Sequence, residues 1–389
     1  MNLCSIQRRL ILLGLFLVPF ISIGELYALF SGQLFSQSSN LTGIFKFSKD
    51  LVFILLILVG IIDFLLRDLL NKKALFYLFL TCILVLPPLF LSLGNEISIT
   101  ASGIRWIIPI LLPVFIFKAL TPDFLHSFSK YIYYLLLLHL FIQILQMFFA
   151  SSWYGTSAFG LNLRNPGLFL IPNTGAFFSV VSLYTSLFIS DFKKNKKFFI
   201  IVISTISVFL TLSGTGLIVF LCVLFFYFAT REMMKWYLLI VPFGVLFIYF
   251  FVIFLSSRDA NYIEQSGGTR LSIFMENFMK SDVISTNFGF GTNTAVMLGK
   301  GEIMDSTFAS LIVNLGYFGF FSVVSLLFLL ISYSIIFRNK SLFVFFVVFT
   351  LFSFTTIISE VYPVNLIMAV LVVNFMRVDS KKEKLSLNV

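Results

Sequence analysis

Charged side chains are scarce in this chain: Asp, Glu, Lys and Arg make up 11% of its 389 residues, whereas soluble globular domains carry about 25%. That shortage excludes a water-soluble surface, because there are too few charges to cover one. Cysteine is scarcer still. Cys4, Cys82 and Cys222 fall at the N-terminus and inside two apolar segments, so no pair sits in an exposed loop where an oxidising compartment could link it, and a disulfide framework is not expected. The two histidines, His126 and His139, lie in a connection and within an apolar run. No cluster has metal-ligand spacing, which argues against a zinc site and a histidine base. Nor do two Asp stand with one residue between them, which weakens the case for a metal-dependent glycosyltransferase built on that device. Internal repeats, low-complexity tracts and a separate soluble domain are also missing.

What is present is apolar. Hydrophobic residues make up 59% of the chain, with 53 Phe and 14 Tyr, and the mean hydropathy is +1.03. A bilayer core about 30 Å thick needs about 20 apolar residues in a helix, and lipid leaves no backbone polar group a partner outside the protein, so each long apolar run predicts a helix. Twelve runs can be placed: 10–30, 51–66, 74–93, 104–120, 131–150, 168–190, 198–212, 215–230, 237–255, 308–337, 342–358 and 361–376. The stretch 198–230 is too long for one crossing and is divided at Ser213-Gly214-Thr215-Gly216, whose residues form turns. Arg8-Arg9 and the apolar run behind them have the look of a secretory signal, but no small-residue cleavage site follows, so the run is read as a retained first helix. The expected fold is therefore an all-α integral membrane protein, a single polytopic domain over residues 1–389 with about 12 transmembrane helices.

Net charge is +10, and its distribution explains it without a nucleic-acid partner. With the N-terminus in the cytoplasm, 19 of the 27 Lys and Arg fall on the cytoplasmic side, as the positive-inside rule requires. The clusters Arg67/Lys72/Lys73, Lys193/Lys194/Lys196/Lys197 and Lys381/Lys382/Lys384 are compact, and a shift by one crossing would put them on the wrong side. Both termini are then cytoplasmic, with a tail over 377–389. Two extracytoplasmic loops stand out, 151–167 and the larger 256–307 in the C-terminal third; both are polar and Gly-containing. A loop of about fifty residues exceeds simple connections and implies a function.

Without ATP outside the cytoplasm, an enzyme there must use an activated substrate and needs no cofactor of its own. The extracytoplasmic arginines are Arg105, Arg164, Arg258 and Arg270. Guanidinium binds phosphate bidentately, so these suit a lipid-linked pyrophosphate. Arg105 and Arg258 stand near predicted helix ends, where interface anchoring is the competing reading. Arg164 and Arg270 lie beside glycine, in Arg164-Asn165-Pro166-Gly167 and Gly267-Gly268-Thr269-Arg270, where backbone can approach an anion. Glu264, Glu302, Asp305 and Glu360, the last beside Tyr362-Pro363, are candidate general bases, Asp305 first among them. Glu25 and Asp63 fall within predicted helices, where such residues mark a cavity or an ion pair, with snorkelling to the interface as the competing reading.

Four segments resemble the superfamily of O-antigen polymerases and O-antigen ligases. Residues 164–177, Arg-Asn-Pro-Gly-Leu-Phe-Leu-Ile-Pro-Asn-Thr-Gly-Ala-Phe, are similar to its Arg, Gly, aromatic and Pro-Asn signature, which includes Asn173. Leu212-Ser213-Gly214-Thr215-Gly216 resembles its short inter-helix turn, without the Arg often found there. Residues 270–291 run from Arg270 through Phe274 to Asn287-Phe288-Gly289-Phe290-Gly291, and Asp305-Ser306-Thr307 leads into Leu315-Gly316-Tyr317-Phe318-Gly319. Where ligases commonly carry a histidine, this chain has Met304-Asp305-Ser306, which favours polymerase over ligase.

The resemblance implies inverting transfer of a glycan from undecaprenyl pyrophosphate to the non-reducing-end hydroxyl of a second lipid-linked repeat unit. Arg164 and Arg270 would bind the leaving pyrophosphate and Asp305 would be the base. Arg105, Arg258, Glu264, Glu360, Tyr362 and Asn173 are the further substrate-binding candidates. The implied partners are the lipid-linked donor and acceptor, membrane lipid, a chain-length regulator and a flippase, and the implied location is a bacterial inner membrane. A ligase, a flippase of the same lipid-linked units and a non-catalytic assembly partner remain as alternatives, although a transporter would more usually show repeated halves and midplane charge.

Overall fold

The computed structural model describes residues 3–31, 39–67, 72–150, 157–158, 161–162, 164–229, 271–290 and 306–386. Helices dominate: α1 (Leu3–Ile21), α2 (Ile23–Ser31), α3 (Ser39–Arg67), α4 (Lys72–Leu91), α5 (Ile97–Ile116), α6 (Pro122–Phe149), α7 (Pro172–Tyr184), α8 (Lys194–Thr211), α9 (Gly214–Phe228), a helix over 271–280 (α10), α11 (Thr307–Ile336), α12 (Lys340–Ser353) and α13 (Val364–Ser386). Two-residue strands Ser157–Ala158 and Leu161–Asn162 pair antiparallel. Among the described residues, five helical stretches are long and apolar enough to cross a membrane: Leu3–Ile21, Lys72–Gly94, Ile97–Ile116, Pro122–Phe149 and Thr307–Ile336. Their outer faces are apolar, with Phe76 66% and Phe328 68% exposed, as suits lipid rather than water.

Helices coincide with eleven of the twelve apolar runs, while 237–255 lies outside the described residues. Three details depart from the hydropathy reading. The first run is two helices: Ser22 Oγ and N both bond to Val18 O, at 2.9 and 3.1 Å, and Pro19 removes a donor beside them, a combination that bends a helix. The run 168–190 is α7 followed by a π-helical turn, Thr185–Ile189. The run 308–337 is broken at Gly316, whose φ is +74°. The division at Ser213 does occur where turn chemistry placed it: Leu212 adopts φ +46° and ends α8.

Helix ends are satisfied by specific side chains. Thr121 caps α6 by accepting from Phe124 N at 3.3 Å, with Pro122 at the first helical position. Lys340 Nζ donates to Tyr227 O and Ala229 O at 2.9 and 2.5 Å, closing the carbonyl end of α9.

The residues divide into two compact units. The first comprises Met1–Cys82, Ile107–Ser213 and Ser359–Val389; the second comprises Ile83–Trp106 and Gly214–Ile358. In the first unit, the start of α1, the end of α3, the end of α5 and α13 gather their charges at one end. Gln7 Nε2 and Arg8 Nε donate to Phe115 O and Ala119 O at 2.7 and 2.6 Å, Lys118 pairs with the buried Asp63 at 3.2 Å, and Arg377 lies 6.0 Å from the Phe117 ring centre. The Asp63 carboxylate is thus held in an ion pair, one of the roles expected of it. The Glu25 side chain lies outside what is described.

Candidate functional site

In the first unit the chain leaves helical structure at Arg164-Asn165-Pro166-Gly167 and passes through a buried region, so each of its backbone polar groups needs a partner from the protein. One face of α6 supplies several of them. Gln146 Oε1 accepts from Gly167 N at 2.7 Å and its Nε2 donates to Gly167 O at 2.8 Å. Gln143 Nε2 donates to Asn165 O at 3.0 Å and to Ser207 O at 3.1 Å, while Ser207 Oγ donates to Gln143 Oε1 at 2.7 Å. His139 Nδ1 accepts from Leu168 N at 3.1 Å, so in the neutral ring the proton is on Nε2. Asn165 N donates to Leu210 O at 2.8 Å. His139, Gln143 and Gln146 recur at helical spacing on α6 and are all buried. An unmet buried donor or acceptor costs about 1–3 kcal/mol, so this matching is what allows the arch to exist.

Glycine is required where the arch touches α6. Gly167 has φ +70°, and a Cβ there would lie 2.2 Å from His139 Cε1. At Gly175, on the first turns of α7, a Cβ would lie 2.4 Å from Pro166 O. The His139 ring is gripped by Phe169 and Phe178, with centroids 5.5 and 5.4 Å away.

Arg164 leads the arch and is half-buried. Asn173 sits at the second position of α7, after Pro172, and Ser213 Oγ donates to its Oδ1 at 2.5 Å. That bond leaves the Asn173 Nδ2 hydrogens as donors for something else. Since Asn165 and Asn173 are tied to Leu210 and Ser213, the segments 164–177 and 212–213, far apart in sequence, meet at the C-terminal end of α8. Tyr362 is buried, donates to Gly14 O at 2.6 Å and meets the Phe53 ring edge-on at 5.8 Å. Glu360 is half-buried in the turn before α13.

The second unit joins the other two segments. At the Gly316 break, Tyr317 N and Phe318 N donate to Asp282 O and Val283 O, both at 3.0 Å, and Ser285 Oγ donates to Val313 O. Phe288 N donates to Ser92 Oγ at 2.9 Å and Gly289 N to Asn314 Oδ1 at 2.7 Å. Gly289 has φ +101°, and a Cβ there would lie 1.9 Å from Ile99 O. Glu276 on α10 is exposed and bonded to Lys280, which holds its carboxyl below the usual carboxylate range and makes it a poor proton acceptor at neutral pH. Arg105 is exposed on α5. Arg258, Glu264, Arg270, Glu302 and Asp305 lie outside the described residues. Ser306 and Thr307, which follow Asp305 in sequence, are fixed to the end of α12: Ser306 Oγ donates to Ser353 O at 2.9 Å and Thr307 Oγ1 to Thr356 O at 2.6 Å.

Reading for loops and arginines passes over His139, Gln143 and Gln146, because they sit inside an apolar run. The signal available was their spacing: three polar residues on one stripe of an otherwise apolar helix require partners. Among the described residues, no group of three or more His, Cys, Asp or Glu is placed to hold a metal ion. Compared with known proteins, the chain matches no family model, no curated protein and no solved structure. The segment 164–177 carries a guanidinium, Arg164, and an amide oriented by Ser213, Asn173, on a backbone arch bonded to α6. Such a set is suited to an oxyanion.

Proposed function

We propose that this chain is a glycosyltransferase that polymerises undecaprenyl-pyrophosphate-linked oligosaccharide repeat units, building an O-antigen or related surface polysaccharide on the extracytoplasmic face of a bacterial inner membrane. The observation that carries the reading is the Arg164 arch: the segment that resembles the polymerase signature is held by buried bonds from α6 and tied to the segment that resembles the inter-helix turn. Twelve crossings with both termini cytoplasmic belong to the same proposal. The gathering of Arg8, Lys118 and Arg377 at one end of the first unit favours it, because the positive-inside rule assigns all three to one side.

In the proposed reaction the acceptor's non-reducing-end hydroxyl oxygen attacks the donor's anomeric carbon. The bond from that carbon to the phosphate oxygen breaks, its electron pair stays on undecaprenyl pyrophosphate, and the configuration inverts. The hydroxyl proton passes to a carboxylate, for which Asp305 is the candidate. Arg164 and Arg270 neutralise the leaving pyrophosphate, each contributing about 3 kcal/mol to the transition state as a preorganised donor does, while Asn173 Nδ2 donates to the same oxyanion. Arg105 and Arg258 anchor near the headgroup region, and Glu264 and Glu360 bind sugar, whereas Tyr362, buried with its hydroxyl bonded to Gly14 O, serves packing instead. A flippase delivers the repeat units and a chain-length regulator limits their growth.

Deleting the gene and separating surface polysaccharide by gel tests this reading. A polymerase leaves core bearing a single repeat unit when lost, whereas a flippase or ligase leaves bare core. In the complemented strain, Arg164→Ala should abolish chain growth at normal protein level, and Arg164→Lys should rescue poorly because ammonium lacks the bidentate fork. Full-length ladders from Arg164→Ala would sink the assignment.

A further inference from the structure

We infer that His139, Gln143 and Gln146 are positioning residues: a polar stripe inside the membrane whose task is to fix the arch 164–167 and thereby aim Arg164 at a pyrophosphate. The inference rests on the proposed role of Arg164 and extends it to residues that touch no substrate. A helix facing lipid and other helices has no need of three buried polar side chains, since each must be dehydrated and then matched. Here each of the three bonds the segment 165–168, and Gln143 bonds Ser207 as well. Gln146 makes two bonds to one residue, Gly167, using both its donor and its acceptor. Gln143 spans Asn165 O and Ser207 O, and His139 takes the next amide, Leu168 N. Side chains of a single helix thus fix the Asn165 carbonyl before Pro166 and the Gly167 amide and carbonyl and Leu168 amide after it, while the Asn165 amide bonds to Leu210 O.

Stiffness follows from the same bonds. Gly167 by itself is the most permissive residue in the segment, free to sample both signs of φ. Gln146 and the His139 ring remove that freedom, one by two hydrogen bonds and the other by filling the space where a Cβ would stand. The backbone that carries Arg164 three residues earlier is then anchored before the anion arrives. A donor group displaced by about 1 Å can lose about a hundredfold in rate, so loosening the arch acts on function without touching the ligand.

The test uses the purified full-length chain in lipid nanodiscs with inorganic pyrophosphate as the probe. Hydrogen exchange is followed in peptides covering residues 164–170, and pyrophosphate affinity by calorimetry, for wild type, Gln146→Leu and Gln143→Leu. Leu56→Ala, which opens a cavity in the buried face of α3, serves as a control for loss of stability alone. Both glutamine variants should exchange faster at residues 165–168 and bind pyrophosphate at least about tenfold more weakly, with Leu56→Ala doing neither. Unchanged affinity in an opened arch overturns the inference. So does an equal loss of affinity in Leu56→Ala, or a wild-type chain that does not bind pyrophosphate. Full polysaccharide ladders from Arg164→Ala cells would instead remove the polymerase reading, and the nanodisc measurement would still decide whether the stripe positions an anion-binding arginine.

Discussion

Replacing Gly167 by alanine should cost about 2–5 kcal/mol of folding free energy, and the larger part of that cost should disappear when the His139 ring is absent. Two effects contribute. Gly167 has φ +70°, a conformation that costs an L side chain about 1–2 kcal/mol. The new methyl carbon would also lie 2.2 Å from His139 Cε1 and 2.3 Å from Nδ1, and relieving such an overlap in a close-packed interior costs about 1–3 kcal/mol. The ring cannot step aside, because Phe169 and Phe178 flank it and Nδ1 holds Leu168 N. His139→Ala alone leaves that amide without its acceptor, a loss of about 1–3 kcal/mol. In the double variant only the backbone effect is added to that loss, so the two substitutions should couple favourably by about 1–3 kcal/mol. Reversible unfolding of the four proteins in mixed micelles measures the cycle. A Gly167→Ala penalty under about 0.5 kcal/mol, or one of the same size with and without the ring, would refute the packing argument.

Three further outcomes are expected. Gly289→Ala should prevent accumulation of folded protein, because its Cβ meets the Ile99 carbonyl oxygen at 1.9 Å and backbone cannot rotate away as a side chain can; normal expression with an unchanged melting temperature would contradict this. Lys118→Met should destabilise by about 1–3 kcal/mol by leaving Asp63 charged and buried, less than for a fully buried pair because Lys118 is 31% exposed, and Asp63→Asn added to it should restore most of the loss; thermal melts of the single and double variants decide it. In a variant lacking Cys4, Cys82 and Cys222, single cysteines at Lys193 and Arg164 should react with an impermeant maleimide from opposite sides of the membrane. Labelling of both from the cytoplasmic side would overturn the proposed topology.

The sequence determined what depends on neighbours along the chain. Apolar runs, charge clusters and turn residues set where helices form, and Ser213-Gly214 was legible as a break because αL and turn preferences are local. The break at Gly316 was not legible. Its glycine stood in a quoted motif, but a helix can be interrupted there only because Asp282 and Val283, more than thirty residues earlier, accept the amides it releases. The same holds for the candidate site. Arg164, Asn173 and their glycines could be picked out as residue types suited to an anion, while His139, Gln143 and Gln146 read as oddities within an apolar helix. Which buried group answers which stranded amide is a question of distance in space, so the tertiary structure alone made those three residues the foundation of the arch.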